Sequence, residues 1–408
     1  MKLTKYKLGD LLEVTRGASL AGEYYASEGN LIRLTLGHFD YQNGGFKENT
    51  SKDNLYFVGP VKSQFVLNEG DIITPLTEQT PGLLGSTAMI PESGQYIQSQ
   101  DVALIRCKED KLDPMFCYYL LPSKIVKSQL GAAAQQTKIR HTTPDRIKDV
   151  IVFIPELEEQ RRIGATLHAI DKKIAVNREI NRNLEAMARQ LYDYWFVQFD
   201  FPDENGKPYK SSGGKMVWNE RLKREIPEEW TNGTMRDFLK ICNGRDHKQL
   251  NDGGIPVYGT GGFMRGVDAA LYKGESVLLP RKGSLTNFML VNEAFWTVDT
   301  MFYTQELMTG AAKYVYYGLS YHDITRFDSG TGVPSMTSIA YYAFPFVRPI
   351  DTILWSFNQM LEPILSKKRQ IEVEIKALIQ ERDELLPLLM NGQVSVMPSE
   401  VNCDLSHD

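Results

Sequence analysis

The sequence predicts an α+β protein. Two mostly-β globular halves are each followed by a long helix, and the two helices pair antiparallel as a coiled coil. Three observations predict this. Short segments recur in the same order in both halves of the 408 residues. The apolar spacing twice switches from strand-like runs to a sustained heptad. Each heptad carries a full apolar seam, and one tethered partner lies in the same chain.

The repeat is direct. Gly9-Asp10-Leu11-Leu12-Glu13-Val14-Thr15-Arg16-Gly17 answers to Met235-Arg236-Asp237-Phe238-Leu239-Lys240-Ile241-Cys242-Asn243-Gly244. Further along, Gly70-Asp71-Ile72-Ile73-Thr74-Pro75 answers to Gly274-Glu275-Ser276-Val277-Leu278-Leu279-Pro280. In residues 1–155, apolar runs at 31–36, 71–74, 96–97 and 102–105 alternate with turn signals such as Asn43-Gly44-Gly45 and Pro81-Gly82. That pattern is β structure with a few helices, 114–121 among them, and a last strand at 150–154.

A long helix is expected over 156–198. Ile163, Leu167, Ile170, Ile174, Asn177, Asn181, Leu184, Ala188 and Leu191 step by alternating four and three, the spacing of a coiled-coil seam. At 1.5 Å per residue the rod is roughly 60 Å long. Asn177 and Asn181 read equally as surface polarity or as amides that fix register. Residues 199–230, rich in Gly, Lys, Ser and Pro, read as a surface linker that buries little. The second half, 231–349, returns to short strands and tight turns. A second helix follows over 350–390, with Ile353, Phe357, Met360, Ile364, Ile371 and Leu378 on its seam. A shift of 190 residues lays it on the first, Ile163 over Ile353 and Leu167 over Phe357. Pro363 is expected to kink it, and residues 391–408 read as a loose tail. A pseudo-twofold relation between the halves is the corollary.

Composition bounds the function. No apolar run is long enough for a membrane span, and the N-terminus lacks the apolar core of a secretion signal. Cys107, Cys117, Cys242 and Cys403 form no CxxC pair, so a cytoplasmic protein without structural zinc is expected. The net charge of −5 argues against a chain that coats DNA alone, because phosphate neutralisation would demand a basic surface. It leaves room for a subunit that reads bases while partners supply the electrostatic clamp.

Catalytic constellations are missing. Gly206-Lys207 and Gly214-Lys215 are followed by Pro and Met, so there is no phosphate-binding loop of the Walker type. The six histidines are scattered without metal-ligand spacing. No Asn-Pro-Pro-aromatic or Asp-Pro-Pro-aromatic run, of the kind an adenine methyltransferase carries, is present. The chain is expected to do no chemistry itself.

What remains is readout. Polar and cationic side chains on loops are the groups that hydrogen-bond to base edges and phosphates. The first half offers Thr77, Gln79 and Thr80 directly after its Pro75, then Gln135, Gln136, Thr137, Lys138 and Arg140. The second offers Arg281, Lys282, Ser284, Thr286 and Asn287 after Pro280, and Thr331 and Ser335 where the first has 135 onward. Tyr258, Thr260 and Arg265 lie on a Gly-rich turn without a counterpart.

Three stretches resemble the specificity subunit of type I restriction–modification enzymes. Pro155-Glu156-Leu157-Glu158-Glu159-Gln160-Arg161-Arg162-Ile163 is similar to the opening of that family's first spacer helix. Tyr194-Trp195-Phe196-Val197-Gln198-Phe199-Asp200-Phe201-Pro202, with 206–216, is similar to its close. Residues 255–262, 274–284 and 295–303 resemble one common kind of target recognition domain. The resemblance implies two target recognition domains, 1–155 and 231–349, reading a split, asymmetric site in double-stranded DNA. It further implies helices that space them and dock two methyltransferase subunits, with restriction subunits supplying translocation and cleavage. S-adenosylmethionine and Mg-ATP then belong to those partners. The second helix departs from the pattern, opening with Ile350-Asp351-Thr352-Ile353 and carrying Pro363, so docking is expected to be asymmetric.

Alternatives are a single-chain methyltransferase with a fused recognition region, tested by S-adenosylmethionine binding to the isolated chain, and a coiled-coil scaffold. Two heads one or more DNA turns apart need about 34 Å between centres. Deleting four residues within 163–191 should therefore change the spacer between half-sites and leave each half-site unchanged. Methylome sequencing reads this directly, and altered half-site bases would refute the ruler.

Overall fold

The computed structural model describes residues 1–78, 82–133, 140–324 and 332–396. It divides into two compact units, Met1–Asn177 with Glu374–Asp408, and Arg178–Val373. The division falls within the long helices, Leu157–Tyr192 and Asp351–Met390, rather than at their ends. The expected separate helical segments therefore do not stand apart. Their seams complete the cores of the heads.

In the first unit, Thr4–Lys7 pairs antiparallel with Ile151–Ile154, joining the beginning of the head to its end. A four-stranded antiparallel sheet follows the order Leu12–Arg16, Val102–Cys107, Ile72–Pro75, Ala88–Met89. Helix Pro114–Leu120 starts where Asp113 accepts the Phe116 N–H at 2.8 Å, with Pro114 in the first turn, a pre-organised helix start. Pro144–Lys148 is capped likewise by Thr143. The core gathers Leu11, Val14, Ile105, Phe116, Ile147 and Val152, and is closed by Ile163 and Leu167 of the first helix with Leu389 and Met390 of the second.

The second unit repeats this order. Thr231–Thr234 pairs with Pro345–Arg348. Leu239–Asn243, Met301–Glu306, Tyr272–Pro280 and Met289–Thr297 lie side by side in one sheet, as their counterparts do in the first unit. Asp252–Gly259 and Gly262–Val267 extend that sheet, the former parallel to Met289–Thr297. Helix Ser338–Tyr342 is again capped by a threonine, Thr337. Matching Thr143 to Thr337 sets the offset between copies at 337 − 143 = 194. This corrects the expected 190 by one helical turn: Ile163 corresponds to Phe357 and Leu167 to Leu361, all four fully buried. A four-and-three seam nearly maps onto itself under a four-residue slip, so sequence spacing alone does not fix the phase.

The helices run antiparallel within each unit. In the first, Asp171 pairs with Arg382 at 2.9 Å and Lys173 with Glu374 at 2.5 Å, while Ile163 and Leu389 share one core. In the second, Glu185 pairs with Lys368 at 2.9 Å, and the Tyr192 and Trp195 rings pack on Phe357 at 6.2 and 5.7 Å. The seam of the second helix runs through Leu354, Phe357, Leu361 and Leu365. Met360, expected on it, is 50% exposed, because the turn offset rotates it off the contact face. Ile170, Leu184, Leu191, Ile353, Ile364 and Leu378 are half-buried at its edges, and Ile174 and Ile371 are buried. Pro363 does not end the helix. It sits on the exposed face, where the carbonyl freed by its missing N–H meets solvent.

Each head approaches a long helix closely through a glycine at matching places. A Cβ on Gly164 would lie 2.8 Å from the Phe116 nitrogen, and one on Gly310 would lie 2.9 Å from the Asn358 Cβ. Position 358 is 164 + 194, and Gly310 holds the cap position that Asp113 holds in the first head. The glycine has changed sides.

The tract 199–230 also differs from expectation. Phe199, Phe201, Ile226 and Trp230 are buried, with Phe201 stacked between Trp230 and Tyr209 at 4.8 and 4.7 Å. Asp200 accepts from the Ser211 N–H and Oγ–H at 2.7 and 2.6 Å. Met216–Asn219 and Arg224–Pro227 form a hairpin. Gly, Lys and Ser dominate the composition, but the aromatics anchor the segment.

His38 lies in a satellite core of the first unit, 2% exposed, against Phe46 and near Tyr96. Its Nδ1 accepts the Thr35 N–H at 3.1 Å. Burial holds its pKa down at about 4 against an ordinary 6.5. The unfolded chain therefore takes up this proton near pH 6.5 and the native one only near 4. Stability is lost as pH falls through that window, in total on the order of 3 kcal/mol. Urea midpoints at pH 7 and 5 should separate more for the parent than for His38→Asn. Equal drops would exclude His38 as the cause.

Candidate nucleic-acid interface

In the second unit the strand Tyr272–Pro280, buried from Ser276 onward, ends at Pro280, whose carbonyl accepts the Tyr341 hydroxyl at 2.7 Å. The chain then emerges as Arg281, Lys282 and Ser284, all exposed, with Leu285 tucked inward at 6% exposure and Thr286 exposed again. The backbone is fixed from both sides. Arg281 and Lys282 N–H groups donate to Thr300 O at 2.8 and 3.3 Å, Met336 N–H donates to Arg281 O at 2.9 Å, and Gly283 N–H to Pro334 O at 2.9 Å. Lys282 forms a β-bridge with Ser335. Gly283 has φ +95°, and a Cβ there would press on Thr260 Oγ1 at 3.3 Å, so glycine suits both the turn and the contact. Asn287 Nδ2 donates to Thr260 O at 2.7 Å. Seven expected residues thus converge: Thr260, Arg281, Lys282, Ser284, Thr286, Asn287 and Ser335. The Arg281 guanidinium lies 5.8 Å over the Phe302 ring.

Two expected contacts are occupied within the fold. Arg265 donates to His247 O and Leu250 O at 2.9 and 2.7 Å and pairs with Asp252 at 3.1 Å, so its cation anchors the hairpin base. Tyr258 gives its hydroxyl to Glu293 at 2.7 Å. Thr331 lies outside the described residues.

The first unit makes the same clasp. Thr142 N–H donates to Leu76 O at 2.8 Å, the bond Met336 makes to Arg281, and 336 − 142 is again 194. Thr77–Glu78 pairs with Arg140–His141, as Lys282 bridges Ser335. Thr77 is only 7% exposed, so it shapes the loop rather than presenting itself. Glu78, which sequence reasoning missed, organises the loop. Its buried carboxylate accepts the N–H groups of Gly82, Leu83 and Leu84 at 3.0, 2.9 and 3.0 Å and lies 3.6 Å from Arg140. An acid four residues ahead of a glycine turn was the available signal. Gln79, Thr80, Gln135, Gln136, Thr137 and Lys138 lie outside the described residues. Among the described residues, no cluster of three His, Cys, Asp or Glu side chains could hold a metal, and no helix is long and apolar enough to cross a membrane.

The sequence model for the type I restriction modification DNA specificity domain matches residues 2–186. The type I restriction enzyme HindI specificity subunit of Haemophilus influenzae is 20% identical over 96% of this chain and 99% of its own length. Over residues 2–186 the chain matches that specificity-domain family, and over nearly its whole length it is similar to a type I specificity subunit. The MjaIX specificity subunit of Methanocaldococcus jannaschii is 24% identical over 69% of each chain. The fold is that of a solved type I restriction–modification S subunit from M. genitalium, with a TM-score of 0.65, 17% identity and 96% of both chains covered. In this chain the repeated clasp and the repeated sheet order are one structural unit used twice.

Proposed function

We propose that this chain reads a bipartite, asymmetric sequence in double-stranded DNA for a type I restriction–modification complex, each unit reading one half-site through the loop after Pro75 or Pro280. The single observation that carries this is the recurrence of the clasp, with Thr142 holding Leu76 and Met336 holding Arg281. In the second unit this loop, fixed at its backbone with Arg281, Lys282, Ser284 and Thr286 exposed, is the arrangement that base-edge readout needs. The chain contributes no chemistry. S-adenosylmethionine is bound by two methyltransferase subunits and Mg-ATP by restriction subunits. A net charge of −5 fits this division, since partners must supply much of the phosphate neutralisation.

The helices also offer a surface for those partners. Ile180, Met187 and Tyr194 recur every seven residues on the first helix and its last turn, 38%, 52% and 37% exposed, off the buried seam. Trp355 and Val373 are exposed on the second. An apolar heptad stripe left open on a paired helix fits a further helix from another chain. Ile180→Asp with Met187→Asp should abolish co-purification of methyltransferase subunits and leave the thermal midpoint of the isolated chain unchanged. Undiminished co-purification would remove this stripe from the interface. The reading as a whole is tested by co-expressing the chain with methyltransferase subunits and mapping modified adenines. A contiguous target, or modification independent of this chain, would refute it.

A further inference from the structure

Strands Asp252–Gly259 and Gly262–Val267 form a hairpin whose register puts Tyr258 opposite Phe263 and Gly259 opposite Gly262, leaving Thr260-Gly261 as the turn. Just past the turn, Phe263 and Met264 are 66% and 53% exposed. Single exposed apolar side chains are ordinary on protein surfaces. An adjacent Phe and Met at a hairpin tip that is itself fastened in place are a different case. Asn287 Nδ2 holds the Thr260 carbonyl at 2.7 Å, and Gly283 packs against the Thr260 side chain. At the other end, the Arg265 guanidinium ties the hairpin to His247 O, Leu250 O and Asp252. Gly259 leaves room for Met264, since a Cβ there would lie 2.7 Å from its sulfur. The tip is thus joined directly to the loop that presents the exposed cations Arg281 and Lys282, with exposed Val333 next to Pro334 on that loop's other side.

Cations that grip phosphates beside a rigid apolar projection are the elements of a side-chain wedge. Such a wedge enters between two base pairs, partly unstacks them and kinks the duplex, and the energy of doing so depends on the step deformed. We propose that Phe263 and Met264 are such a wedge, inserted at one deformable base step of the half-site bound by the second unit, so that this half-site is read partly by its flexibility. A pyrimidine–purine step is the chemistry that yields most readily. Among the described residues of the first unit, no hairpin extends the corresponding four-stranded sheet, so the two half-sites are read by different physics. This inference rests on the reading of the second unit as a DNA-contacting head.

The test uses the full chain assembled with its methyltransferase subunits, on duplexes carrying the target mapped by modified-adenine sequencing. 2-Aminopurine replaces a base at each step of both half-sites in turn. With the parent complex, fluorescence should rise several-fold at one step of the second unit's half-site, apart from the mapped adenines that the methyltransferases themselves turn out of the stack. The Phe263→Ala/Met264→Ala variant should lose that rise and lose preference among bases at the same step, while the salt dependence of binding stays unchanged. Phe263→Leu should retain most of the rise. A parent complex that binds the duplex with no step responding other than the modified adenines, or a variant in which the additional rise persists, overturns the wedge and leaves the head's role intact. A parent complex that does not prefer the mapped duplex to a scrambled one overturns the underlying reading instead.

Discussion

Replacing Arg281 and Lys282 together by alanine is expected to weaken binding of the assembled complex to its mapped duplex by about 10- to 100-fold. Co-purification of the partner subunits should be unaffected. Both side chains are exposed, yet the backbone beneath them is held by Thr300, Met336 and Pro334. Removing the side chains therefore takes away contacts without releasing the loop. If Arg281 reads a base edge, the loss concentrates at one position of one half-site, because a bidentate pair discriminates by about 1–3 kcal/mol. If Lys282 meets a phosphate, binding weakens evenly across sequences and the slope of log affinity against log salt falls by about one. Filter binding or fluorescence anisotropy across a salt series separates the two. Affinity and slope both equal to the parent's would place this loop away from DNA.

Lys313→Ala is expected to destabilise the second unit by about 3–5 kcal/mol. Lys313 is 2% exposed, with its ammonium 2.9 Å from the Glu275 carboxylate, 2.8 Å from Glu362 and 2.6 Å from Asn358 Oδ1. It is the point where helix Ala311–Gly318, strand Tyr272–Pro280 and the second long helix meet. Truncation leaves the Glu275 side chain, 11% exposed, as a buried charge without its counter-ion. Glu362, at 38%, keeps solvent and Arg369 at 2.5 Å, so the larger share of the loss falls on Glu275. A Lys313→Met/Glu275→Gln pair should recover much of the stability, since it removes both charges and keeps the volume. Urea unfolding followed by amide exchange in residues 272–280 measures this. A midpoint indifferent to Lys313→Ala would mean that water reaches these carboxylates.

Much of the fold was legible because it is written twice. The segments around Gly9 and Met235, and around Gly70 and Gly274, marked the two heads before any geometry was known. The alternating four-and-three spacing marked both helices. The phase between them was not legible, because Ile163 aligns with an apolar residue at either Ile353 or Phe357, and only the capped turns at Thr143 and Thr337 decide. The candidate site was legible as loops and less so as residues. Arg281 and Lys282 present themselves outward, but Arg265 is consumed by carbonyls of 247 and 250, which no linear spacing reveals. Thr77 and Glu78 show the reverse. The residue that looked like a reader is buried, and its neighbour, an acid that would repel phosphate if exposed, turns inward to collect three amides.

The exchanged glycine has a consequence for transplanting heads between the two positions. The first head brings the Asp113-capped turn against its helix and demands a bare backbone at 164, while the second brings Gly310 and accepts Asn358. Seated on the second helix, the first head would drive the asparagine side chain into the Phe116 amide. Seated on the first helix, the second head would find room to spare at Gly164 but leave the buried Lys313 without both Asn358 and Glu362, since His168 stands where Glu362 does. Grafts are therefore costly in both directions, by a clash in one and by lost partners of a buried ammonium in the other, unless the helical turn around the contact travels with the head.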